Sequence, residues 1–197
     1  SLVLLAATAA LTSLPSANSQ SCLHPSTITG YDFTNKAGSL SVSDSPFASG
    51  VVCAIGYKGT VAYSGCVADQ TYTVSGCGAC PSGQFADTVG SSSCKTCAAG
   101  EKFVSTQAPC ADCDTGKYAP QGNTQSTCQT CVKGKYASSK TVSSCQDCEN
   151  GKYQDQSAAS QHYCNSCGQG TYASTKTVSS CQNCENGKYQ DQSVASQ

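Results

Sequence analysis

The 197-residue chain contains no methionine, no tryptophan and no arginine. From Gly56 to Gln197 it also lacks leucine and isoleucine. That stretch cannot bury the aliphatic surface that stabilises a domain of its length, where each large buried side chain contributes about 1.5–3 kcal/mol. Charge is sparse as well: eleven lysines stand against twelve acidic residues, for a net charge of -1. No basic block or stripe is present that would neutralise a run of phosphates, so nucleic acid is not an expected partner. The two histidines, His24 and His162, have no companions at a catalytic spacing, so no nucleophile, base and orienting acid can be assembled. The expectation is a non-enzyme. No Asn-x-Ser/Thr triplet occurs, and the Ser- and Thr-rich loops leave only O-linked sugars open.

What the chain has is cysteine: seventeen, about 9% of the sequence, the level of a disulfide or metal scaffold. Redox compartment decides between these. Residues 1–19, SLVLLAATAALTSLPSANS, carry an uninterrupted apolar run from Leu2 to about Leu14 followed by small polar residues. This reads as a signal peptide lacking its start, with Ala17 and Ser19 at the small positions before cleavage and Gln20 as the mature terminus. The run is shorter than the ~20 apolar residues of a spanning helix. A secreted or cell-surface location follows, where cysteines oxidise and zinc-thiolate sites lose their advantage.

From Cys77 one formula repeats: Cys-x-x-Cys-x-x-Gly-x-aromatic, then a polar stretch. CGACPSGQF, CQTCVKGKY, CQDCENGKY, CNSCGQGTY and CQNCENGKY are instances. The turn and ring positions are Gly83 and Phe85, Gly100 and Phe103, Gly116 and Tyr118, Gly134 and Tyr136, Gly151 and Tyr153, Gly170 and Tyr172, and Gly187 and Tyr189. CKTCAAGEKF departs by one extra residue before Phe103. Residues 143–161 and 179–197 are one text shifted by 36 positions, with two substitutions. Glycine supplies positive φ at a tight turn, and Asn150-Gly151 and Asn186-Gly187 are strong hairpin dipeptides. The aromatic two residues on is expected to cover a disulfide as the unit's one sizeable apolar group. The lysine that usually precedes it, as in Lys117-Tyr118 or Lys152-Tyr153, then faces water.

Cysteines two residues apart rarely bond to each other in a structural role, so each is expected to bond to a neighbouring unit boundary. The expected bridges are Cys80–Cys94, Cys97–Cys110, Cys113–Cys128, Cys131–Cys145, Cys148–Cys164 and Cys167–Cys181. Cys184 is left for a partner beyond Gln197. Each loop contributes about 3 kcal/mol by the unfolded-chain entropy argument, less than the ordering of its residues costs. Turn hydrogen bonds, ring packing and stacking on neighbours must supply the rest, which predicts an elongated tandem rod of short hairpins and irregular loops. These units resemble ephrin-receptor-like cysteine-rich repeats and, more distantly, the first half-module of tumour necrosis factor receptor ectodomains, over residues 78–197 and their opening cysteine. The resemblance implies an extracellular stalk of a receptor or adhesion protein, and the same enclosing bridges.

Residues 20–77 follow another grammar. Valines, aromatics and threonines between Cys22, Cys53, Cys66 and Cys77 suit a small all-β unit, and composition leaves all three pairings open. Val51-Val52-Cys53-Ala54-Ile55-Gly56-Tyr57-Lys58-Gly59 resembles the Cys-x-x-Gly-Tyr turn of a sushi, or complement-control, module. That resemblance implies Cys22–Cys66 and Cys53–Cys77. The family's tryptophan is missing, and only Tyr72 stands in its place.

Zinc is the main chemical competitor, since two Cys-x-x-Cys pairs 13 residues apart approach ribbon spacing. The leader, the seven chained pairs and the glycine after each pair weigh against it. Thiol-redox chemistry needs a low-pKa cysteine at a helix start, and no helix is expected. Asp147, Glu149 and Asp155 form a loose acidic group that reads as solvated surface, because the copy has Asn183 at the first position. No cofactor or metal is expected. The resulting expectation is a disulfide-stapled stalk with a binding, adhesion or receptor-ectodomain role. Its partner would be an extracellular protein or glycan, or another copy, and any membrane tie would lie outside this stretch. A surface-coat or matrix fibre is the alternative, and a zinc or redox protein comes last.

Overall fold

The computed structural model describes residues 20–157 and 163–190; the expected leader and His162 lie outside them. Among the described residues there are no helices and eight antiparallel two-stranded pairs. β1 (Tyr31–Asp32) pairs with β2 (Val52–Cys53), and β3 (Tyr57–Ser64) with β4 (Thr73–Ala79) across a register shift between Gly59 and Ala62. Six two-residue hairpins follow: β5 (Gln84–Phe85) with β6 (Lys95–Thr96), β7 (Glu101–Lys102) with β8 (Ala111–Asp112), and β9 (Lys117–Tyr118) with β10 (Gln129–Thr130). β11 (Lys135–Tyr136) with β12 (Gln146–Asp147), β13 (Lys152–Tyr153) with β14 (Asn165–Ser166), and β15 (Thr171–Tyr172) with β16 (Gln182–Asn183) complete the series. This is a small disulfide-rich all-β repeat fold. Each hairpin joins the strand after a turn glycine to the two residues inside the next Cys-x-x-Cys.

The N-terminal module has the one cluster that resembles a conventional core. Cys22, Ala48 and Tyr72 are buried, with Leu40, Phe47, Tyr63 and Val74 packed against them. The rings of Phe47, Tyr63 and Tyr72 meet edge to face at centroid distances of 5.6–6.4 Å, the geometry in which positive ring edges meet negative ring faces. Three aromatics thus replace the aliphatic side chains the sequence lacks.

Beyond it, one hydrogen-bond pattern runs from loop to loop. From Gly100 to Gly170 the N–H of each turn glycine donates to the carbonyl of the residue after the next strand pair's first strand, and the glycine carbonyl accepts from the second cysteine of the next pair. Gly134 donates to Gln154 at 2.8 Å and accepts from Cys148 at 2.9 Å; Gly100, Gly116, Gly151 and Gly170 repeat both bonds. A third contact skips a loop. A Cβ on Gly134 would collide with Thr177, and one on Gly100 with Thr141, each two loops along. Loops therefore pack on both the next neighbour and the one after it, so the copied block of two units is also the span of the longest packing contact.

Gly56 makes the same pair of bonds, to Ala86 at 2.8 Å and from Cys80 at 2.9 Å. Its hairpin has the repeat's register too, with Tyr57 opposite Ala79 and Lys58 opposite Gly78. Residues 53–77 are accordingly a repeat loop with a lengthened hairpin, embedded in the segment that the sequence assigns whole to a separate module. The cue is Cys53-x-x-Gly56, obscured because its pair lacks a first cysteine and its ring stands at Tyr57.

At Gly134 a side chain meets both a positive φ of 81° and a backbone wall, whereas Gly122, at φ 74°, has open space. Left-handed backbone costs an L-residue roughly 1–2 kcal/mol, and overpacking adds a similar amount. Gly134→Ala should therefore lower the thermal midpoint of the non-reduced protein clearly more than Gly122→Ala. Equal shifts would mean that the loop-to-loop packing is not tight.

Candidate functional site: the disulfide joints and the head groove

Eight bridges close the structure, with Cα–Cα separations of 5.2–5.8 Å: Cys22–Cys66 and Cys53–Cys77 in the N-terminal part, then Cys80–Cys94, Cys97–Cys110, Cys113–Cys128, Cys131–Cys145, Cys148–Cys164 and Cys167–Cys181. Cys184 is a half-buried free thiol. In each Cys-x-x-Cys pair from Cys77/Cys80 to Cys164/Cys167 the two sulfurs belong to adjacent loops. From Cys97 to Cys167 the second cysteine of each pair is 0–1% exposed, while the first is half-buried. A bridged sulfur has no thiolate to offer a metal or a redox partner.

The rings stand differently from the sequence expectation. Phe85 is buried, Tyr118, Tyr136, Tyr153 and Tyr172 are half-buried, and Tyr189 is exposed. The fully sealed position is the next residue: Ala86, Ala119, Ala137, Gln154 and Ala173 are 0–2% exposed. Phe103 falls in this register and not in the ring register, because its unit has the extra residue. Its N–H bonds Gln125 as that of Ala119 bonds Val142, and Lys102 takes the ring's place in β7.

Sequence reasoning passed over Gln154, which looked like polar filler. It is 0% exposed; its Nε2 donates to the Tyr163 carbonyl at 3.0 Å and its Oε1 accepts from the Gln156 N–H at 3.1 Å. Asn123 does the same in an earlier loop, donating to the carbonyls of Glu101 and Gln125 and accepting from the Gln125 N–H. Satisfied amides act here as internal brackets. Position relative to the ring is the signal that would have found Gln154.

Three of the lysines before the rings are held by acids. Lys135 pairs with Asp147 across its hairpin, Lys117 with Asp114 at 3.6 Å and Lys188 with Glu185 at 3.7 Å. In the copy the cross-strand Lys135–Asp147 pair becomes Thr171 opposite Asn183, so both charges are replaced together. Asp147 thus serves a lysine. Among the described residues no three His, Cys, Asp or Glu side chains converge on a metal-sized point.

An open concavity lies where β1, the turn after Cys53 and the first two short repeat loops meet. It encloses about 650 Å³ between Tyr31, Asp32, Phe33, Ile55, Val89 and Gln107. The Tyr31 hydroxyl is tied down by accepting the Cys77 N–H at 3.3 Å. Asp32 Oδ1 accepts from the Thr34 hydroxyl at 2.6 Å and its N–H at 2.8 Å, and these bonds, the hydroxyl's first, hold the carboxyl below its usual range. Ile55 and Val89 are 40% and 49% exposed. The wall therefore offers rings, apolar surface and one carboxylate that stays ionised. No protein-family model matches this chain, and no curated protein matches it either. The resemblances to known repeats thus rest on the cysteine and glycine spacing itself.

Across the module from the groove, His24 Nδ1 lies 2.8 Å from the buried Tyr72 hydroxyl. Desolvation first, and then Lys36, pushes the imidazole below its ordinary value of 6.5, while burial raises Tyr72. A lowered histidine binds fewer protons folded than unfolded, so stability is full above about 6.5 and is lost as pH falls from there through the folded value. The melting midpoint of the N-terminal module should fall over that window in wild type and stay flatter in His24→Asn. An unchanged slope in the variant would remove His24 as the cause. For the joints, Cys131→Ser should free Cys145 and cost about 3 kcal/mol, with the other seven bridges retained on peptide mapping. Scrambled pairing would contradict independent loop closure.

Proposed function

We propose that this chain is an extracellular, non-enzymatic binding protein in which a sushi-like head is carried on an ephrin-receptor-like stalk, in the manner of an adhesion protein or receptor ectodomain. Disulfide-rich repeats of this kind are typical of extracellular proteins, where oxidation makes up for a missing core. The observation that carries the binding role is the head groove. It sits where the N-terminal module meets the first loops, is lined by the tethered Tyr31 ring, the Phe33 ring and exposed aliphatic side chains, and has a volume within the usual range of about 300–1,000 Å³ for ligand sites. The repeats contribute length and hold the groove away from whatever anchors the chain. The partner is an extracellular protein or glycan.

A second reading, a self-associating coat or matrix fibre, is favoured by a different observation. The 36-residue copy preserves the two-loop packing span, so length can grow without redesigning any interface.

The two readings diverge in solution. The secreted chain should sediment as a monomer at increasing concentration and bind saturably to the surface of cells from its own source, and Ile55→Glu with Val89→Glu should abolish that binding with all bridges intact. Concentration-dependent polymerisation without saturable binding would overturn the receptor-like reading in favour of the fibre.

A further inference from the structure

The stack carries a second kind of concavity, repeated along its length. One notch, about 230 Å³, opens between Tyr118 of one loop and Val132 and Lys135 of the next. Another, about 210 Å³, opens between Tyr136 and the following loop's Glu149 and Lys152, with Tyr163 on its rim. A third, about 250 Å³, opens between Tyr172 and the following Glu185 and Lys188. All three have the same origin in the repeat. The ring stands two residues after one turn glycine, and the lysine stands one residue after the next. Where that lysine is absent, at Thr171 after Tyr153, the row loses its cationic wall.

The chemistry of the notches narrows what fits them. Each is too small for a drug-sized ligand and has the scale of one sugar ring. A half-buried tyrosine offers a flat apolar face and a hydroxyl. The ammonium donates, and in two of the three notches a glutamate accepts. The charges largely cancel: Lys135 is paired with Asp147 and Lys188 with Glu185, and Glu149 stands with Lys152 in the second notch. A polyanion would have to displace these carboxylates, and a lipid would meet no continuous apolar wall. A ring stacked on a tyrosine, with hydroxyls bonded to an ammonium and a carboxylate, satisfies every group.

We propose that these notches bind a linear, uncharged polysaccharide, one pyranose per notch, so that the repeats are themselves a multivalent glycan-binding surface. It rests on the extracellular reading above but not on the head groove. Each contact alone is weak, and the stiff succession of loops multiplies them, because linked sites gain roughly 10²–10⁴ in avidity when the ligand spans them.

The test titrates the disulfide-intact full chain with uncharged hexasaccharides (cellohexaose, maltohexaose and chitohexaose), with their monosaccharides, and with a heparin hexasaccharide, following amide and tyrosine ring signals by NMR. At least one uncharged hexasaccharide should shift Tyr118, Tyr136 and Tyr172 and bind roughly a hundredfold or more tighter than its monosaccharide. Tyr136→Ala should weaken it about tenfold. Should that variant misfold, Lys152→Gln with Lys188→Gln, both at half-exposed to exposed positions, should weaken it comparably without moving the melting midpoint. No saturable binding to any of the three, equal affinity for hexamer and monomer, or tighter salt-sensitive binding of heparin would each overturn the proposal. A chain that is secreted and fully bridged but silent toward glycans would overturn it and leave the extracellular stalk reading standing.

Discussion

The clamp on the turn glycine is the interaction on which the rest of the stack depends. A disulfide closes each loop but does not say how one loop sits on the next. That relation comes from the two bonds between the glycine of one unit and the backbone of its successor, donating to the residue after the ring and accepting from the second cysteine. Only a residue without Cβ can turn at positive φ while another backbone lies against it. The same glycine thereby positions the hairpin, buries the second cysteine and brings the tyrosine of one loop beside the lysine of the next.

This arrangement explains how a chain without leucine or isoleucine beyond Ile55 stays folded. Burial is spent on cysteine sulfur, on alanine and on two satisfied amides, Gln154 and Asn123, and the apolar cluster is confined to the aromatic core around Tyr72. The packing between repeat loops reaches one or two loops along, so adding units leaves what is already packed unaltered. The notches are a by-product of the same register and recur wherever ring and lysine recur.

Much of this was legible in the residues. The pairing of second cysteine with next first cysteine is written in the spacing, since cysteines two residues apart rarely bond to each other in a structural role and the next partner is one loop away; the structure closes the chain at the same pairs. The positive-φ glycines are legible for the same local reason. The start of the repeat at Cys53 was not, because the register of β3 and β4 and the bonds of Gly56 are non-local. Nor was the sealed position after the ring. A tyrosine looks like the natural core residue, and only the approach of the next loop shows that the sealed residue is the one after it, a methyl or a bonded amide at Ala86, Ala119, Ala137, Gln154 and Ala173.

The sequence alone therefore determined the covalent plan: oxidised loops, turn glycines and a non-helical repeat. These depend on spacing, composition and backbone preference, all of which act within a few residues or one loop. The tertiary structure decided what faces what: which neighbours each loop touches, which side chains are sealed, and which rings, ammonium groups and carboxylates share a concavity. Those outcomes depend on contacts between loops, and no local preference encodes them.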